Sequence, residues 1–280
     1  MKKRTTSNSR EHLSAWIVAL LATLMPFSVS AESLRDFVDQ LASLESIGME
    51  AHAVIRLRQD GVTRAGNGTF SYWEQGSLYR ISCSTSGPLK LVTDFDYSND
   101  GEYSRLWFRA SNTLLENTSD DQLAPTAIPN PFFLATIFVT GEDCVQCRLS
   151  REGVLQSVGN MSVSTDSPGV YSVENSEFGR QFIVETLDVE GMEVPSVISW
   201  WNSMFDADVV VELGDYQRLD GGLLWPTAVS MTSTGRSSDL SAVITYLIGT
   251  FEQNRTYPKD TFTLGDEDSV YVEAPAGPDP

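Results

Sequence analysis

What most constrains this chain is how little sequence separates its apolar segments. Asp60-Gly61, Gln75-Gly76, Gly87-Pro88 and Asn99-Asp100-Gly101 are turn sequences that punctuate the stretch from Gly48 to Phe108. Connections this brief join only antiparallel neighbours, because parallel strands need a crossover of about a dozen residues or more. Between the turns the pattern has period two: Ala51, Ala53, Ile55 and Leu57 alternate with His52, Val54, Arg56 and Arg58. Alternation of this kind gives one buried and one solvated face. The stretch therefore predicts an antiparallel meander, with Val62–Glu74, Leu78–Ile81, Leu89–Phe95 and Tyr103–Phe108 as its further strands.

Strands are expected again at Gly169–Glu174, Arg180–Val189, Val194–Trp201, Val209–Leu219, Leu223–Thr232 and Leu240–Glu252, with Gly221-Gly222 and Gly235-Arg236 as turns. Two helices frame this pattern. Leu34, Phe37, Val38, Leu41 and Leu44 follow the i, i+3, i+4, i+7 spacing of one apolar helix face over Ser33–Leu44, with Ser33 as its cap. Asn130-Pro131 suits a helix start, followed by the apolar run Phe132, Phe133, Leu134, Ile137, Phe138. Residues 140–160 show no period. The class is α+β: a large antiparallel sheet of about eleven strands with two or three helices. So wide a twisted sheet curls, and helices segregated to one face cover its apolar side. Residues 32–272 contain no linker and read as one domain, followed by a disordered tail at 273–280.

Residues 1–31 have the three-part pattern of a signal peptide: Lys2, Lys3, Arg4 and Arg10, the apolar run Ala15–Phe27, and Val29-Ser30-Ala31 before the expected cleavage. The chain is expected to be exported, soluble and monomeric. Its net charge is −19, from 19 basic and 38 acidic residues. Removing four basic residues and one acidic residue with the leader leaves 15 against 37, or −22. Nucleic acid is excluded as a partner, because its phosphates need clustered Lys and Arg. Only Lys90 and Lys259 would remain among the lysines.

The chemistry a site would need is sparse. Cys83, Cys144 and Cys147 are disulfide candidates in an oxidising compartment, with the pairing open. Cys144-Val145-Gln146-Cys147 has acidic neighbours, Glu142 and Asp143, which raise a thiol pKa and argue against a reactive dithiol. His52 is the one histidine beyond the leader, so neither a zinc set nor a Ser-His-Asp triad is suggested, and no G-x-S-x-G accompanies it. Asp94, Asp96 and Asp100 lie close together but miss calcium-loop spacing. The reading is a protein without catalytic residues, metal or cofactor.

The order of elements completes the picture. A leader and an amphipathic helix precede a meander holding Phe70-Ser71-Tyr72-Trp73 and Leu78-Tyr79-Arg80-Ile81. An apolar helix interrupts the sheet. Tyr216-Gln217-Arg218-Leu219-Asp220-Gly221-Gly222-Leu223-Leu224-Trp225-Pro226 and then Phe262-Thr263-Leu264 follow. This resembles the periplasmic lipoprotein-carrier superfamily, which includes the LolA, LolB and RseB proteins. The resemblance implies an open half-barrel whose concave apolar face is covered by helices, in a periplasmic protein that holds a lipid or lipoprotein acyl chain there and carries it across the envelope. Its alternative is an envelope structural or regulatory module of the same fold that binds a protein partner without lipid cargo. Glu32 in place of Cys at the expected mature start favours the soluble kind. The residues expected to line or cover the cavity are Phe132, Phe133, Leu134, Ile137 and Phe138 on the apolar helix, and Trp73, Trp107 and Trp200 on strands. Alternation allows only one of Trp200 and Trp201 to face inward.

Overall fold

The alternating segments pair off into a single open sheet. The structure is a computed structural model and describes residues 30–118, 129–140, 161–175, 180–203, 205–264 and 270–273. Helix α1 (Ser30–Ala42) leads into β1 (Ser46–Gln59), β2 (Val62–Gln75) and β3 (Leu78–Thr85). A single helical turn, α2 (Lys90–Thr93), precedes β4 (Phe95–Asn99), β5 (Tyr103–Phe108) and β6 (Thr113–Thr118). Helix α3 (Pro131–Thr140) comes next, then β7 (Met161–Ser167), β8 (Val170–Asn175), β9 (Arg180–Val189), β10 (Met192–Asn202), β11 (Ala207–Arg218), β12 (Leu224–Gly235), β13 (Ser241–Gln253) and β14 (Val270–Glu273).

The strand order is β14-β6-β5-β4-β3-β2-β1-β13-β12-β11-β10-β9-β8-β7. Every neighbour pair is antiparallel except β14 with β6, where residues 270–273 lie parallel to residues 113–116. The sheet thus has two meanders, β1–β6 and β7–β13, joined along a central seam between the long strands β1 and β13. Residues 57–59 of β1 lie at the hairpin with β2, and Asp60 takes a positive φ of 52° there beside Gly61 at 74°.

Among the described residues there are fourteen strands where about eleven are expected. Leu89–Phe95 is not a strand: α2 occupies Lys90–Thr93, and the strand follows it as Phe95–Asn99. Gly87 and Pro88 start this turn of helix, with the Lys90 amide donating to Gly87 O. Strand β6 carries adjacent Leu114 and Leu115, so it lacks the alternation that marks a half-buried strand. Strand β7, MSVSTDS, is a polar edge strand, and β14 is short and reaches the sheet only by a long crossover. The two longer helices cover the later half of the sheet: α1 packs on β10 and β7, and α3 on β8, β11 and β12, while the short α2 packs on β3.

Alternation divides the sheet into an inner face, bearing α3, and an outer face. Phe70, Tyr72 and Glu74 on β2, Tyr79, Ile81 and Cys83 on β3, and Phe95 and Tyr97 on β4 are buried on the inner face. The outer face is crossed by the segment after β13. Ser46 Oγ donates to Arg255 O at 2.6 Å, the Tyr257 amide to Gln75 Oε1 at 2.8 Å, and Arg80 Nη1 to Thr261 O at 3.2 Å. Gly48 is what lets this strap lie flat. A Cβ there would sit 2.2 Å from Tyr257 Oη. The strap ends with Phe262, fully buried and 6.3 Å from the Tyr257 ring.

Candidate functional site

Helix α3 is the structural centre of the inner face. Asn130 caps it, its Oδ1 accepting the Phe132 amide at 2.9 Å. Tyr246 Oη, from β13, donates to Pro129 O at 2.7 Å and fixes the chain as it enters the helix. Thr136, the one polar side chain described within the helix, turns its hydroxyl back to Phe132 O at 3.0 Å. Pro131 to Val139 are all buried. A helix apolar on every side belongs inside a core and not on a surface.

Phe132 anchors this helix to the sheet through aromatic rings. It stacks on Trp225 of β12 with centroids 5.3 Å apart and planes 15° from parallel, and it lies 6.2 Å from Tyr72 of β2. Trp225 in turn meets Phe251 of β13 at 5.1 Å. Offset ring pairs at these distances contribute about 0.5–1.5 kcal/mol beyond the area they bury. Trp225 Nε1 is buried with no hydrogen-bond partner among the described residues. The Tyr72 hydroxyl donates to the carboxylate of Glu74, a fully buried side chain on the same face. Tyr79 and Tyr97 face each other at 3.2 Å between hydroxyls, and burial raises the pKa of both. The interior is a packed, largely apolar core with a few polar atoms held by tyrosines.

The expected residues fall into three places. Phe132, Phe133, Leu134, Ile137 and Phe138 are together in the buried helix. Trp200 is 7% exposed on the inner face and packs on Phe182 at 5.5 Å, while its neighbour Trp201 is 50% exposed. Trp73 and Trp107 are not brought to this site. Trp73 follows the inner-facing Tyr72 and pairs with Gly48 on the outer face. Trp107 pairs with Asp96, its Nε1 donating to Asn112 Oδ1 at 3.3 Å. Trp225, which does touch the helix, was not among the expected lining residues. Its neighbours Leu223, Leu224 and Pro226 are also buried, so no alternation singles it out.

Cys83 is a buried free thiol, and burial, reinforced by Asp94 and Asp96 against Arg109, pushes its pKa up to about 12. Cys144 and Cys147 lie outside the described residues. The acidic cluster is a structural network. Arg109 Nη1 donates to Asp94 Oδ1 at 2.8 Å and to Cys83 O at 2.9 Å, and its Nη2 donates to Ser82 Oγ and Asp96 Oδ2. Burial opposes the charge on Arg109, and Asp96 and Asp94 outweigh that, so its pKa is raised. Asp100 binds Arg105 at 2.8 Å and accepts the amides of Glu102 and Tyr103. Among the described residues, no helix is long and apolar enough to cross a membrane.

No protein-family profile and no curated protein sequence matches the chain. Its fold is similar to several solved structures. A putative outer membrane lipoprotein-sorting protein domain from Vibrio parahaemolyticus has 10% identity and a TM-score of 0.49, covering 83% of this chain and 97% of that one. A LolA superfamily protein from Nitrosomonas europaea has 10% identity and a TM-score of 0.44, covering 83% and 98%. A DUF1329 family protein from Desulfovibrio piger has 9% identity and a TM-score of 0.46, covering 82% and 97%. At these identities and scores the likenesses carry no argument about ligand or activity.

Proposed function

We propose that this protein is a non-catalytic periplasmic binding protein that holds the acyl chain of a lipid or lipoprotein against the inner face of its sheet and carries it across the envelope. The observation that supports the reading is α3, a helix with Pro131–Val139 wholly buried, seated on an open sheet by stacked rings. Burial of an acyl chain contributes about 0.8 kcal/mol per methylene, so a dozen methylenes contribute about 10 kcal/mol. Exposing the five large side chains Phe132, Phe133, Leu134, Ile137 and Phe138 costs about 8–15 kcal/mol at 1.5–3 each. The two quantities are of one order, so cargo enters by exchange, its methylenes taking over contacts that the helix gives up.

The test is native mass spectrometry of the protein purified from its own envelope fraction, then organic extraction, with a fluorescent fatty acid as a second probe. A co-purifying lipid or acylated peptide, together with saturable probe binding, is the expected result. An empty protein that also fails to bind the probe overturns the reading and leaves the partner-binding module as its successor.

A further inference from the structure

Six large hydrophobic side chains are exposed among the described residues, and four of them, Val62, Trp201, Phe205 and Leu240, lie at one end of the sheet. They belong to three reversals, β1–β2, β10–β11 and β12–β13, that the strand order sets side by side. From β2 to β10 this end spans five strand spacings, about 24 Å. The turns are tied to one another. Asp239 accepts the Gly61 amide at 2.8 Å and pairs with Arg58 at 3.3 Å. Asp206 O accepts the Arg236 amide at 2.8 Å, and Asp206 Oδ2 accepts Ser237 Oγ at 2.7 Å. Arg236 pairs with Asp208 at 2.6 Å and lies over the Trp201 ring at 5.4 Å.

The charge at this end differs from that of the chain. Over residues 56–64, 201–208 and 235–241, Arg56, Arg58, Arg64 and Arg236 balance Asp60, Asp206, Asp208 and Asp239, in a protein of net charge −19. Ion pairs closed within the fringe spare it the cost of bringing unpaired charge to a low-dielectric boundary. Tryptophan, with an apolar ring and one N–H, favours the level of lipid headgroups. Here the Trp201 N–H is served by Asp206 Oδ1 at 3.4 Å. Phe205 extends furthest from cover, at 65% exposed.

We propose that this fringe of three hairpins seats the protein on the surface of a lipid bilayer of zwitterionic headgroups, with Trp201 and Phe205 entering the interface. A bilayer fits better than a protein surface for two reasons. Trp201, Phe205 and Leu240 stand on turns or on the strand ends beside them, Val62 alone lining a hollow with Leu57 and Arg64, and the charges around them balance in number, two of each sign in ion pairs, so they offer little to a charged partner. The inference concerns a surface apart from the interior and does not depend on the acyl-chain reading.

The test is flotation of the exported protein, purified from its envelope fraction without the leader, with vesicles of pure phosphatidylcholine at low and high salt, beside Trp201→Ser/Phe205→Ser. Bound wild-type protein that is insensitive to salt is expected, with partitioning lowered about tenfold or more in the variant, since each lost side chain forfeits upward of the 1.4 kcal/mol that makes a factor of ten. Quenching of tryptophan fluorescence by brominated lipid, lost in Trp201→Phe alone, reads insertion directly. Both sites are half exposed or more, so an unchanged thermal melt shows that the variant folds; if it does not fold, the brominated-lipid result with Trp201→Phe decides. No flotation, flotation only on anionic vesicles and abolished by salt, or equal flotation of a folded double variant overturns the proposal. Fatty-acid probe binding measured on the same samples reports on the interior alone.

Discussion

Phe132→Ala tests whether α3 is seated as the structure has it. The ring is 1% exposed, stacked on Trp225 at 5.3 Å and 6.2 Å from Tyr72. Truncating a buried Phe to Ala costs about 3–5 kcal/mol, the lost transfer energy plus the cavity left behind. A protein can escape a cavity penalty by opening, but only where opening is cheaper. Releasing α3 would expose its remaining large side chains and break the Asn130 cap and the Tyr246–Pro129 bond, at a cost above that of the cavity. The full 3–5 kcal/mol is therefore expected. At about 2–4 °C per kcal/mol for a domain of this size, the midpoint of thermal unfolding falls by about 10 °C. Urea unfolding followed by near-ultraviolet circular dichroism measures it, with an unchanged m-value showing that the loss is in stability. A loss below about 1 kcal/mol would mean that Phe132 is not packed on Trp225 in solution.

Two other predictions concern charge. Arg109→Met leaves Asp94 and Asp96, at most 6% exposed, with only the longer contacts to Lys90 at 3.6 Å and Arg80 at 3.4 Å. Breaking a buried pair costs about 3–5 kcal/mol, and the quarter exposure of Arg109 reduces that to about 2–4; a urea midpoint matching wild type would show the network to be idle. Cys83, with its pKa raised from 9.0 to about 12 in the fold, keeps its proton in the native state where the unfolded chain would lose it. Its contribution to stability is full below about pH 9 and is lost as pH rises from 9 towards 12. Cys83→Ser, compared with wild type by urea titration across that range, should flatten this part of the slope, and an unchanged slope would count against the burial of the thiol.

Most hairpins were legible because their turns carry the residues that such turns require. Asp60-Gly61, Gln75-Gly76 and Gly235-Arg236 all fall at observed reversals. Strands β6, β7 and β14 were not, since a doubly apolar strand, a polar edge and a parallel late arrival each lack the half-buried signature. The apolar helix stood out from composition alone, and its position on the inner face follows from having nowhere else to be buried. The tryptophans show where local reasoning stopped short. Alternation separates Tyr72 from Trp73 just as it separates Trp200 from Trp201, yet which side Tyr72 takes is decided only by the folded sheet. Trp225 depended on the fold itself, because its ring finds Phe132 only when β12 is placed two strands from β1.

The seam between β1 and β13 sets a schedule for the chain as it is made. Twelve registered pairs join these strands, from Ile47 with Gln253 to Arg58 with Ser241, and they stand at the middle of the finished sheet. Between the end of β1 at residue 59 and the end of β13 at residue 253, 194 residues must be synthesised, roughly 10–40 s at common elongation rates. For that interval the first meander can form, but β1, one of its two longest strands, waits with one whole ladder of N–H and C=O groups unpaired. Such an edge is a template for any extended segment that meets it, including β1 of another nascent copy. A chain with this topology thus depends on its chaperones, or on its own speed, for the time before its late strand arrives.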